Sequence, residues 1–156
     1  MNRNIKQQLE ILNKQEKELI YIYRYISNQF GISESEFWVL YALFAFEGDC
    51  SQQDICDLWY LPKQTVNSVV SSLTKKGYVF LETIPGTRNK KNIRITEAGM
   101  EFGKDTVLGI YNAGQRAIAK LSEDERQECI NLLGKYITFL HEEINESLNK
   151  YKEEQR

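Results

Sequence analysis

The sequence predicts a mainly α-helical fold with a small β-hairpin: a helix-turn-helix with a wing behind it, flanked by long helices. Apolar residues recur at helical spacing through most of the 156 residues. The period switches to alternation only in "YVFLET" (78–83) and "NIRIT" (92–96). That pair of strands directly follows two short helices joined by the turn "YLP". A hairpin in that position is a wing.

The first helix is expected over Asn4 to Phe30, with its apolar stripe at Ile5, Leu9, Leu12, Leu19, Tyr23 and Ile26, and Gly31 as its stop. Ser33 with Glu36 three residues on forms a capping box for a second helix, Glu34 to Phe46, ending at Gly48. Ser51 with Asp54 opens a third, short helix, Gln52 to Trp59. Pro62 fits the first helical position of a fourth, where its missing N–H costs nothing; Gly77 stops that helix behind Lys76. In the second strand Ile93 and Ile95 should face inward and Arg94 outward, and "IPGTRNKK" joins the strands through turn chemistry at Pro85 and Gly86. Thr96 can cap a helix over Glu97 to Lys120, with Glu97 at its positive end. Ser122 and Glu125 box the start of a last helix, reaching Lys150, whose stripe is Ile130, Leu133, Ile137, Leu140, Ile144 and Leu148. The winged helix-turn-helix thus occupies residues 33–96, and residues 1–32 with 97–156 form one helical region around it.

At 42% hydrophobic and 27% charged residues the chain can bury a core. No apolar run reaches the roughly 18 residues of a membrane span, and the first residues lack the apolar stretch of a secretory signal. The expected location is cytoplasmic. Three cysteines at irregular spacing make no disulfide framework. The net charge of −2 conceals an asymmetry: from Pro62 to Arg94, Lys63, Lys75, Lys76, Arg88, Lys90, Lys91 and Arg94 face Glu82 alone. Steering of a polyanion depends on such local patches more than on net charge.

The fourth helix explains the asymmetry. On a helical wheel Val66, Val69, Val70 and Leu73 share one sector. Gln64, Ser68, Ser71 and Lys75 fall opposite, flanked by Thr65, Asn67 and Ser72, with Lys63 at the start, all small, polar or basic and without a carboxylate. A major groove about 12 Å wide admits one such helix, Gln and Asn pair with adenine edges, and Ser and Thr reach bases or phosphates. An acidic side chain there would meet a phosphate charge every ~1.7 Å of duplex. The loop repeats this logic with Arg88, Asn89, Lys90 and Lys91 at its tip, where a guanidinium can enter a narrow minor groove. Polar helix faces and basic loops are often merely solvated; two such elements adjacent in winged-helix order favour duplex DNA as the partner.

The stretch "SQQDICDLWYLPKQTVNSVVSSLTKKGYVFLETIPGTRNKKNIRITEAG" resembles the winged helix of the MarR family of bacterial transcriptional regulators. It carries Thr65-Val66 early in the recognition helix, Leu73 to Gly77 at its end, and Ile95-Thr96-Glu97-Ala98-Gly99 behind the wing. The resemblance covers about 50 residues closely. It implies a homodimer built from the first and last two helices, a repressor reading a palindromic operator, and an effector pocket between the dimer helices and the winged helix. One departure stands out: the family carries an acidic residue just before the wing arginine, where this chain has Gly86 and Thr87, and Arg88 to Thr96 is about a residue longer. That departure keeps a second reading open, a winged-helix dimer that docks protein instead of DNA.

Nine of the eighteen aromatic residues fall between Tyr21 and Phe46. They read either as a core joining the first two helices or as a pocket for a small aromatic or amphipathic effector, with Tyr25, Trp38 and Tyr41 as candidates. Cys50, at a helix start, is a candidate redox thiol, whereas Cys56 and Cys129 fit apolar faces. His141 is the only histidine. With no catalytic constellation, metal-ligand set or cofactor loop in the sequence, no enzyme activity, metal or cofactor is expected.

Overall fold

The computed structural model describes residues 3–46, 48–84, 86–87 and 90–155. The described residues form two compact units, Met1–Tyr111 and Asn112–Arg156. The first unit holds α1 (Arg3–Gln29), α2 (Glu34–Ala45), α3 (Gln52–Trp59), α4 (Lys63–Lys75), β1 (Val79–Thr83), β2 (Lys91–Ile95) and α5 (Glu97–Gly103). A π-helical turn, Lys104–Leu108, leads into α6 (Gly109–Ile118), which ends in the second unit; α7 (Glu123–Glu154) completes the chain. The mainly α fold with a hairpin wing is as expected from the sequence.

The helix starts follow their local chemistry. Ser33, Ser51 and Ser122 each accept from the backbone N–H three residues on, and Glu36, Asp54 and Glu125 each accept from the cap's own N–H. The Thr96 hydroxyl accepts from Gly99 N–H at 3.0 Å. Pro62 departs from expectation: it is the N-cap of α4, with ψ at 136°, so the helix begins at Lys63. Gly77, at φ 76°, ends α4, and Tyr78 N–H reaches back to the Leu73 carbonyl.

The core of the first unit is built from α2, α3, α4 and the hairpin. Phe37, Val39 and Leu40 of α2, Ile55 of α3, Val66, Val70 and Leu73 of α4, Val79 of β1 and Val107 are all but sealed from solvent. The strands pair antiparallel with Val79 opposite Ile95 and Leu81 opposite Ile93. Ile93 is buried as expected, Ile95 only half-buried, and Asn92 is buried at the bridge to Ser51.

The single helix expected over Glu97 to Lys120 is interrupted. A Cβ on Gly99 would collide with the Tyr78 carbonyl, and one on Gly103 with the Phe44 ring. Two glycines four residues apart therefore let α5 lie close on the hairpin and α2. Thr106 donates to the Phe102 carbonyl at 2.7 Å, a bond that bends helices, and Thr106 and Val107 are buried in the π turn.

Two helix faces stay uncovered. On α1, Ile5, Leu9, Leu12 and Leu19 are exposed. On α7, all six stripe residues from Ile130 to Leu148 are exposed, and the helix buries none of its residues. Cys129, expected near that stripe, is exposed too.

Candidate nucleic-acid interface

α4 divides as its sequence requires. Val66, Val69, Val70 and Leu73 are buried, while Lys63, Gln64, Asn67, Ser68, Ser71 and Lys75 are exposed and Thr65 and Ser72 half-buried. None of those eight polar side chains makes a hydrogen bond or ion pair among the described residues, and the face carries no carboxylate. Folding leaves their donors and acceptors unspent.

Lys76 behaves differently. Its Nζ lies 2.8 Å from Glu36 Oε1, tying the end of α4 to the start of α2. Burial alone would raise the Glu36 pKa; the hydrogen bonds from Lys76 and Ser33 outweigh it and hold the carboxyl below its ordinary value. Lys76 is therefore no free cation for phosphate, although it counts in the basic patch of the sequence.

The wing is anchored at its root. Ile93 N–H donates to the Cys50 carbonyl at 2.7 Å, and Ser51 bridges Asn92. Arg94 places its Nε 2.7 Å from Glu82 and its terminal nitrogen 2.7 Å from Asp49. Two carboxylates thus consume a charge that the sequence counts toward the basic patch. Farther out, Ile84 N–H bonds the Lys90 carbonyl at 3.0 Å, and the Thr87 hydroxyl donates to the Ile84 carbonyl at 2.9 Å. Lys90 and Lys91 are exposed. Arg88 and Asn89 lie outside the described residues, as does Pro85.

Cys50 contradicts the redox expectation. It is 2% exposed, and burial pushes its thiol up to about 11, with the Asp54 carboxylate adding to the shift. A thiol protonated at neutral pH is the reverse of an activated thiolate.

Tyr23, Phe37, Trp38, Tyr41, Trp59 and Tyr111 form one ring cluster in the first unit. Trp38 packs 4.7 Å from Tyr23, 4.6 Å from Trp59 and 5.4 Å from Tyr41, ring centre to ring centre. Tyr41 also meets Tyr111 at 5.3 Å, and burial raises its pKa. Beside the cluster an open cleft of about 390 Å³ is lined by Glu34, Ser35, Trp38, Trp59 and Leu61. The structure keeps Trp38 and Tyr41 together but excludes Tyr25, which is exposed and stacks on Tyr21. Tyr23 stands in the cluster instead. Its place in the apolar stripe of the first helix was the available signal, because Tyr25 lies some 200° away on the wheel. Trp59 was missed; it sits one turn after buried Ile55 on α3. Its Nε1 is buried without a hydrogen-bond partner.

Among the described residues no three His, Cys, Asp or Glu side chains gather where a metal ion could be held, and no helix is long and apolar enough to cross a membrane. His141 is exposed on α7, 3.4 Å from the Asn145 amide.

Residues 30–88, which hold α2, α3, α4 and β1, match the model of the MarR family. Over that stretch the chain is similar to the MarR family. Solved structures agree in fold. A MarR family regulator from Neisseria meningitidis superposes with a TM-score of 0.75 over 94% of this chain and 99% of its own, at 23% identity. A MarR/EmrR family transcriptional regulator from Acinetobacter sp. ADP1 gives 0.65 over 91% and 99%, at 22% identity. MepR of S. aureus, in a complex with DNA, gives 0.62 over 84% and 96%, at 20% identity. No curated protein matches the sequence. The resemblance seen in the sequence is therefore borne out, and the matched residues include Thr65-Val66 and Leu73 to Gly77.

Proposed function

We propose that this protein is a DNA-binding transcriptional regulator, a repressor that binds a palindromic operator as a homodimer. The observation that carries the reading is the outer face of α4: eight polar or basic side chains, none engaged within the described structure, above an apolar face that is fully packed. α4 enters the major groove, Lys63 and Lys75 meet phosphates, and Gln64 and Asn67 read base edges. Lys90 and Lys91 bring the wing to the flanking backbone, and Arg88 and Asn89 join them as proposed contacts. That MepR is known in a complex with DNA on this fold supports the reading. The first and last two helices pair the subunits, setting two recognition helices about 34–36 Å apart on one face of the duplex.

An aromatic or amphipathic effector in the cleft beside Trp38 and Trp59 releases the operator by favouring a subunit spacing that no longer matches the groove. Such coupling typically amounts to about 1–3 kcal/mol.

Affinity measured against salt concentration tests the reading. Log affinity should fall with log salt by about 0.9 for each phosphate neutralised. Lys63→Ala should weaken binding to every sequence and lower the slope by about one, whereas Gln64→Ala should cost about 1–3 kcal/mol at one base position. Binding to both variants that equals the parent's would remove α4 from the interface. A winged helix that docks protein would bind no duplex at low salt.

A further inference from the structure

The turn between α3 and α4 holds a residue that neither the core nor the α4 face explains. Tyr60 ends α3 at φ 51° and ψ 31°, in the left-handed region, and is the only non-glycine residue with positive φ among the described residues. Glycine or asparagine usually occupies such a helix end, because a Cβ is disfavoured there, and a bulky side chain is an outlier. Packing does not compensate. Tyr60 is 94% exposed, more than any other large hydrophobic residue among the described residues, while its neighbours Trp59 and Leu61 lie against the core. Among the described residues its hydroxyl has no hydrogen-bond partner and its ring no aromatic neighbour. Backbone strain kept without an internal return marks a residue whose work lies outside the chain.

Lys63 lies three positions on from Tyr60, so their Cα atoms lie within about 11 Å. In a helix-turn-helix the first helix crosses the DNA backbone and the second lies in the groove, so the turn between them stands at the groove's edge. We propose that Tyr60 is a duplex contact of this protein, its phenol hydroxyl donating to a phosphate oxygen beside the groove that α4 enters. A phenol is a neutral O–H donor suited to that oxygen. It anchors the turn without displacing a cation, and so it leaves a signature distinct from that of Lys63. The proposal rests on the reading of α4 as the DNA-facing helix.

The test uses the full chain, a mixed-sequence duplex of about 30 base pairs, long enough for two half-sites a turn apart, and the variants Tyr60→Phe and Tyr60→Gly. Tyr60→Phe keeps the ring and the backbone; it should bind roughly tenfold more weakly with an unchanged melting temperature. Tyr60→Gly should bind at least as weakly while melting at the same temperature or higher, since glycine accepts the left-handed conformation. Neither should change the salt slope, because a neutral donor releases no counterion. Parent-like affinity in Tyr60→Phe, or a slope lowered by about one, overturns the proposal and leaves the α4 reading standing. A parent protein that ignores the duplex at low salt overturns both.

Discussion

Cys50 shows how one thiol is silenced by its surroundings. Its Sγ donates weakly to the Ser51 carbonyl at 3.8 Å, and burial lifts its pKa from an ordinary 9.0 to about 11. The folded chain thus holds this proton more tightly than the unfolded chain does. The stability that follows is complete below pH 9 and is lost as pH rises from 9 to about 11. Its size is on the order of 2 kcal/mol. Urea midpoints of the parent and of Cys50→Ala, compared across that range, should converge as pH rises; a constant difference would mean the buried thiol titrates as an ordinary one. Arg94 follows a similar logic with charge: Glu82 and Asp49 raise its pKa and fix it in place, so it serves the root of the wing.

Elements whose cause is local were legible in the sequence. A serine and a carboxylate three residues apart fix a helix start within one turn, and Ser33, Ser51 and Ser122 all cap as their spacing implies. The two faces of α4 follow from a period that no distant residue can alter. Effects with distant causes were not legible. The sequence counts Lys76 in the basic patch because its partner Glu36 lies 40 residues away. The break after α5 likewise depends on Phe44, which meets Gly103 only once α2 and α5 pack. That contact sets a prediction: Gly103→Ala places a Cβ into the Phe44 ring, and overpacking of this kind typically costs about 1–3 kcal/mol. The variant should lose that much in urea titration, and Phe44→Leu should restore part of it by clearing the ring. A Gly103→Ala protein as stable as the parent would show that the π turn absorbs the extra methyl freely.

At the scale of the whole molecule, the exposed stripe on α7 carries the argument for a pair. Ile130, Leu133, Ile137, Leu140 and Ile144 alternate spacings of three and four, the seam of a helix that packs along another, and each is at least 42% exposed in the single chain. A second copy is the proposed cover, and the proposed affinity for DNA depends on it, because one winged helix neutralises only part of the phosphates that two would. Replacing Ile137 and Leu140 together by aspartate sets two charges on the seam while touching no buried residue of the chain. Far-ultraviolet circular dichroism should therefore keep its helical signal, and sedimentation should show one chain where the parent shows two. The salt slope of duplex binding should fall to roughly half, since each subunit contributes its own phosphate contacts at about 0.9 apiece. A double variant that sediments as a pair with an undiminished slope would move the seam off α7. One that sediments singly yet keeps the full slope would separate pairing from binding, leaving a lone α4 and its wing to account for every phosphate contact.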